Sequence, residues 1–203
     1  MIYNNNSNNN NNNNHTTART RTRTRRFDAV IAIDPDIEKS GVAFLECSTR
    51  KLELTSLTFP QVLEYLRYAQ RQAQVKGYSY LVCVEAGWLN KTHWHLSPQC
   101  SRQKAAAIGN DVGRNHEVGR KIVEMCQYWG IPCESVKPLS LRSGSTHLWN
   151  GKDGKITHEE LAAFTGIMGR TNQEERDAAL IAWWKAGFEV ISNPKMKKNL
   201  CKR

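Results

Sequence analysis

From residue 27 onward, short apolar runs and amphipathic stretches follow one another in a readable order. Residues 30–33 (Val-Ile-Ala-Ile) form a β-rich apolar run of the kind a strand buried on both faces carries. The run ends in Asp34, and Pro35 then removes a ladder donor and forces a turn. Residues 41–47 restart as a second strand, and a turn follows at 48–50. Residues 51–58 then alternate with period 2, which predicts a third, half-buried strand in hairpin with the second. Pro60 opens a helix over 61–76 with Val62, Leu63, Leu66, Ala69 and Ala73 along one face, and Gly77 ends it.

Residues 79–86 are the clearest buried strand in the chain, and it too runs into an acid, Glu85. A loop over 87–99 follows, rich in Trp88, His93, Trp94 and His95. The stretch 101–129 reads as a long helix with two apolar pairings, Ile108 with Val112, then Val118, Ile122, Met125 and Trp129. Gly109, Gly113 and Gly119 between them mark close packing or a break. Gly130 and Pro132 stop the helix, residues 133–137 read as a fifth strand, and 138–156 as an irregular connection. Thr157 with Glu160 is a capping-box start for a helix to residue 168, and a last helix spans 173–186. The order β-β-β-α-β-α-β-α-α, with no internal repeat, places the chain in the α/β class.

Length and charge refine this picture. At 203 residues the chain fits one domain with extensions: an arm over 1–26, a folded body over 27–190 and a tail over 191–203. Residues 4–14 hold ten Asn and one Ser, and 18–26 alternate Arg with Thr, so the arm is expected to be disordered without a ligand. The formal net charge of +10 sits entirely on the arm and on a Lys-rich stretch over 195–203, leaving the body formally neutral. Basic tails suit a polyanion, because neutralising phosphates releases counterions. No apolar run is long enough to span a membrane, and no signal-peptide pattern opens the chain, so an intracellular location is expected. The six cysteines are scattered without a C-x-x-C pair and read as reduced thiols, Cys47 and Cys83 as small core residues.

The acids carry the candidate chemistry. A carboxylate ending a buried strand is costly unless something compensates it, and Asp34 and Glu85 both do so. The third acidic element is Glu174 with Asp177, three apart at a helix start and therefore on one face. Carboxylates converging from separate elements suit hard cations, Mg²⁺ or Mn²⁺, and two ions about 4 Å apart activate water and stabilise the leaving oxygen in phosphodiester cleavage. Each acid also has a plain structural alternative. Asp34 would close onto the Pro35 turn, and Glu85 would pair with a surface cation. Glu174 would complete a capping box from Thr171, and Asp177 would pair with Lys121 or Arg176.

These residues resemble the RuvC-like Holliday junction resolvases of the ribonuclease H superfamily. The resemblance rests on Ile33-Asp34-Pro35 with Ser40-Gly41-Val42, on the 81–85 strand ending in Glu85, and on 174–182 beginning Glu-Glu-Arg-Asp. The Gly-bearing segment 108–114 and the Val136-Lys137-Pro138 turn stand in the expected order. It covers roughly residues 28–190 and implies a ribonuclease H-like fold: a mixed five-stranded sheet, first three strands antiparallel, flanked by helices. It further implies a homodimeric, metal-dependent endonuclease acting on four-way DNA junctions in recombination and repair. Asp34, Glu85, Glu174 and Asp177 would then be the catalytic metal ligands for two Mg²⁺ or Mn²⁺ ions per site. Trp88 would be a stacking aromatic at the junction, or else a loop anchor. Lys137, Lys152 and Lys155 become candidates for contact with the scissile phosphate, or surface lysines. Asp36 stands where the family has Gly and reads as a turn residue rather than an extra ligand, and His93, His95 and His158 read as polar surface. Two alternatives remain, an RNA–DNA hybrid nuclease of the same superfamily and a non-catalytic junction-binding protein.

Overall fold

The computed structural model describes residues 27–90, 101–139, 142–143 and 146–190. The Asn- and Arg-rich arm, residues 91–100 with His93, Trp94 and His95, and the basic tail lie outside the described residues. Five strands form one sheet in the order β3-β2-β1-β4-β5: β1 Ala29–Asp34, β2 Ser40–Glu46, β3 Leu52–Leu57, β4 Tyr80–Glu85 and β5 Cys133–Val136. The β1–β2 and β2–β3 pairings are antiparallel, whereas β1–β4 and β4–β5 are parallel. This is the mixed five-stranded sheet, first three strands antiparallel, that the resemblance implies.

Helices cover both faces, which is why β1 and β4 are apolar throughout rather than alternating. Ile31, Ile33, Val82 and Val84 point into a core shared with α1 (Phe59–Lys76) and α2 (Arg102–Tyr128). Val30, Ala32, Leu81 and Cys83 point the other way, into a core shared with α3 (His158–Thr165) and α4 (Gln173–Lys185). Each fully buried Val, Leu or Ile contributes about 1.5–3 kcal/mol relative to exposure. Helix α1 starts at the Thr58–Gln61 box, with Thr58 N donating to Gln61 Oε1 at 2.9 Å. It ends in a left-handed Gly77 (φ 68°). Cys47, Cys83 and Cys126 are buried and Cys133 is partly buried. Among the described residues no helix is long and apolar enough to cross a membrane.

One alternative is decided and two expectations are corrected. Helix α2 runs unbroken through its glycines; only Gly119 is a close-packing site, where a Cβ would lie 2.7 Å from the Trp88 ring, while Gly109 and Gly113 face open space. The stretch 138–156 is not irregular throughout: residues 142–143 pair with 146–147 as a small hairpin, β6 and β7, and Lys152–Gly154 form a 3-10 turn. Its anchors are Trp149 and Ile156, both buried against the α4 core, and two isolated apolar residues among Gly and Lys leave no periodic signal. Helix α3 ends at Thr165 rather than 168, because Gly166 takes the left-handed conformation (φ 72°) and its N–H donates to Ala162 O, which caps the helix.

Candidate active site

Strand register alone brings the first two acids together. In the parallel β1–β4 pair, Ile33 stands opposite Val84, so Asp34 and Glu85 are the next residues on neighbouring strands. By the period-2 rule Asp34 follows Val30 and Ala32, and Glu85 follows Leu81 and Cys83, onto the α4 face. Adjacent strands lie about 4.8 Å apart, so the two carboxylates emerge side by side at the carboxyl end of the sheet centre.

On the other side of Asp34 the register places Gly41 of β2. Its missing side chain is what admits α4. A Cβ on Gly41 would lie 2.1 Å from the carbonyl carbon and oxygen of Glu174 and 2.6 Å from Glu175 N. The first turn of α4 therefore rests on the β2 backbone beside Asp34, with Asp177 one turn further on. The helix start differs in detail from the sequence reading. Asn172, not Thr171, is the N-cap: its side chain accepts from Glu175 N at 2.8 Å, and Glu175 Oε2 accepts from Asn172 N at 3.1 Å. Glu175 thus closes the capping box, and Glu174 is not consumed by it. The pairing expected for Asp177 is also corrected. Lys121 pairs with Glu124 at 2.7 Å, and Arg176 donates to the carbonyls of Ile156 (2.9 Å) and Thr171 (2.6 Å).

Asp177 instead meets Lys155, whose Nζ lies 2.6 Å from Oδ2, while Gln173 Nε2 donates to Oδ1 at 2.8 Å. Glu85, Lys155 and Asp177 line one side of a cavity of about 220 Å³, and Pro138, Leu139 and Leu180 the apolar side. Neither Asp34 nor Glu85 makes an ion pair within 4 Å among the described residues.

The charges strain against one another. Burial, then the negative charges of Glu85 and Asp177, hold Asp34 well above the usual carboxylate range, against the pull of Lys155, and Glu174 adds the smallest push. Burial and Asp177 push Glu85 up to about 7, again opposed by Lys155. For Lys155 burial works to lower the pKa, but Asp177, Asp34 and Glu85 outweigh it and raise it. The linkage sign follows. Glu85 rises from 4.5 to about 7 on folding, so its protonated form stabilises the fold fully below pH 4.5, and that contribution is lost as pH rises through 7. Asp34 acts in the same direction. Cation-free protein is therefore expected to melt several degrees lower at about pH 8 than at about pH 5, from a loss of up to about 3 kcal/mol. Added Mn²⁺ should restore most of it at the higher pH. Calorimetry at both pH values checks this, and a midpoint indifferent to both pH and Mn²⁺ would contradict the electrostatic account.

The donor set suits a hard divalent cation. Asp34 and Glu85 fit as ligands, since they are adjacent, partly buried and without a counter-ion of their own. Among the described residues no group of three or more His, Cys, Asp or Glu is arranged to hold an ion. At Asp177, Lys155 and Gln173 each donate to one oxygen. Asp177 fits once Lys155 releases Oδ2. A bound cation would supply Lewis-acid stabilisation to phosphate oxygens; Lys155 would offer an ammonium to a phosphate, Gln173 would orient Asp177, and the Pro138–Leu139 wall would limit water.

The other expected residues divide. Lys137, just past β5, and Lys152, in the 3-10 turn, are exposed and do not join the acids. Trp88 lies in a 3-10 turn after β4, its ring over Gly119, edge-on to His116 (6.1 Å) and under Arg120 (5.5 Å), so α2 packs against it. Asp36 is a turn residue: Oδ1 accepts from Glu38 N at 2.8 Å and Oδ2 from Asn115 Nδ2 at 3.1 Å. His158 contacts Thr171 Oγ1 at 3.1 Å. Sequence reasoning missed the roles of Gly41 and Arg176 and the Asn172–Glu175 box. The last was legible, since Asn172-x-x-Glu175 is the better capping pattern.

Comparison with known proteins adds little beyond the architecture. No protein-family model matches the chain, and no curated protein sequence does. Four solved chains match by structure, among them T. thermophilus RuvC in complex with Holliday junction substrate. That match has 13% identity and a TM-score of 0.40, covering 76% of this chain and 89% of that one.

Proposed function

We propose that the protein is a divalent-cation-dependent DNA endonuclease that cuts four-way junctions. The observation that carries the nuclease reading is the convergence of Asp34, Glu85 and Asp177 at the carboxyl end of the sheet centre. Burial and their mutual repulsion, which raise the pKa values of Asp34 and Glu85, support a bound positive charge there. The junction substrate rests on the resemblance of the 33–42, 81–85 and 174–182 segments to RuvC-like resolvases. A homodimer would place one site on each of two strands. The Arg- and Lys-rich terminal segments would grip duplex backbone without reading sequence.

The test is a panel of a four-way junction, a linear duplex and an RNA–DNA hybrid, each with Mg²⁺ and with Mn²⁺. Symmetric nicks in the junction, absent without a divalent cation, are the expected result. Hybrid cut as well as or better than the junction would overturn the junction reading in favour of a hybrid nuclease. Tight junction binding with no cutting under either cation would leave a binding protein.

A further inference from the structure

Lys155 reaches the acids from a loop that is locked on both sides. A Cβ on Gly151 would stand 2.3 Å from Lys155 O, which instead accepts from Gly151 N at 2.9 Å. Gly154 adopts φ 80°, and a Cβ there would fall 1.9 Å from His147 Nδ1. On the other side Ile156 is buried, and its carbonyl accepts from Arg176 Nε at 2.9 Å. The same guanidinium holds Thr171 O at 2.6 Å and Gln173 Oε1 at 2.8 Å, so the backbone beside Lys155 is pinned to the start of α4. The backbone that presents Lys155 to Asp177 is thus fixed by the fold.

Its two partners are unequally enclosed: the Asp177 side chain is 12% exposed, whereas that of Lys155 is 40% exposed. The lysine is therefore the more open to water of the two. An ion ligated by Asp177 must share or take an oxygen that Lys155 or Gln173 now holds. An ammonium and a divalent cation repel at such range, so the two compete for one carboxylate.

We propose that Lys155 is a tethered counter-ion that competes with the divalent cation for the acidic site. The cation displaces its ammonium from Asp177 Oδ2 towards the open side of the cavity, where a backbone phosphate can take it up. This rests on Asp34, Glu85 and Asp177 being cation ligands. Two consequences follow. The acids are held together without a cation, at the cost of weaker cation binding. A phosphate that engages Lys155 removes the competitor, so DNA strengthens cation binding and, by linkage, the cation strengthens DNA binding.

The test measures Mn²⁺ binding to the full chain without DNA, by calorimetry and by water-proton relaxation. Lys155→Met is expected to bind Mn²⁺ about tenfold or more tightly than the natural chain. Lys155→Arg, which keeps the charge, should bind like the natural chain, and Asp34→Asn should lose most binding. In case Lys155→Met folds poorly, the ¹H–¹⁵N signal of the Lys155 ammonium is followed in the natural chain as Mg²⁺ is added, and it should shift in step with occupancy. Unchanged Mn²⁺ affinity in a folded Lys155→Met, or an ammonium signal that stays put at saturating Mg²⁺, would overturn the competition and leave the cation site standing. No Mn²⁺ binding by any variant would overturn the cation site and this proposal together.

Discussion

Asp34→Asn is expected to lower junction cleavage on the order of 10³-fold while leaving junction affinity within a few-fold of the natural chain. Asp34 stands between Glu85 on β4 and the first turn of α4, so it is the acid that all the others surround. An amide there keeps the shape but removes the charge a cation needs. The same substitution should stabilise the cation-free protein at neutral pH, because burial and the neighbouring acids disfavour the ionised form of Asp34. Activity and stability would thus move in opposite directions, which a merely structural role for Asp34 would not produce. Gel-based cleavage, junction binding in Ca²⁺ and thermal melting make up the measurement. A variant that cuts normally would end the case for Asp34 as a ligand. One that melts lower would mean its charge is compensated in the fold.

That prediction was nearly complete in the sequence, and the reason is physical. Central strands buried on both faces are written as unbroken apolar runs, so the acids that end them stand out. The 30–33 and 81–84 runs show where β1 and β4 lie and that Asp34 and Glu85 terminate them. What the runs do not carry is the register, and it is the offset Ile33–Val84 that makes the two acids neighbours. The α4 pair was also legible from its spacing. Lys155 was one of three lysines with equal claims, because nothing local distinguishes a lysine aimed inward from one aimed at water. Its choice over Lys137 and Lys152 is made by long-range contacts: Gly154 against His147 and Arg176 against Ile156. Trp88 went the other way for the same kind of reason, since the Gly119 notch that receives its ring lies 31 residues along the chain.

Gly41→Ala is expected to damage fold and site together. Gly41 lies within β2, in the strand that the 41–47 run predicts, directly opposite Asp34. Its importance is the absence of a side chain: an added Cβ meets the Glu174 carbonyl at 2.1 Å, a backbone group that cannot rotate aside. Either α4 lifts at its first turn or β2 bends away from β1. Overpacking of this kind costs about 1–3 kcal/mol. The site would suffer more than the fold, because a shift of about 1 Å in a catalytic group can cost about 10²-fold in rate. Gln173 rides on that first turn and Asp177 on the next, while Asp34 and Glu85 stay with the strands, so the substitution separates the two halves of the acidic cluster. Gly109→Ala is the matched control. That residue is in exposed helix with nothing within 4 Å of a new Cβ, and there alanine should stabilise by about 1 kcal/mol or less without touching cleavage. If Gly41→Ala melts and cuts like the natural chain, α4 does not rest on β2 as described, and Asp177 loses its claim to share a site with Asp34.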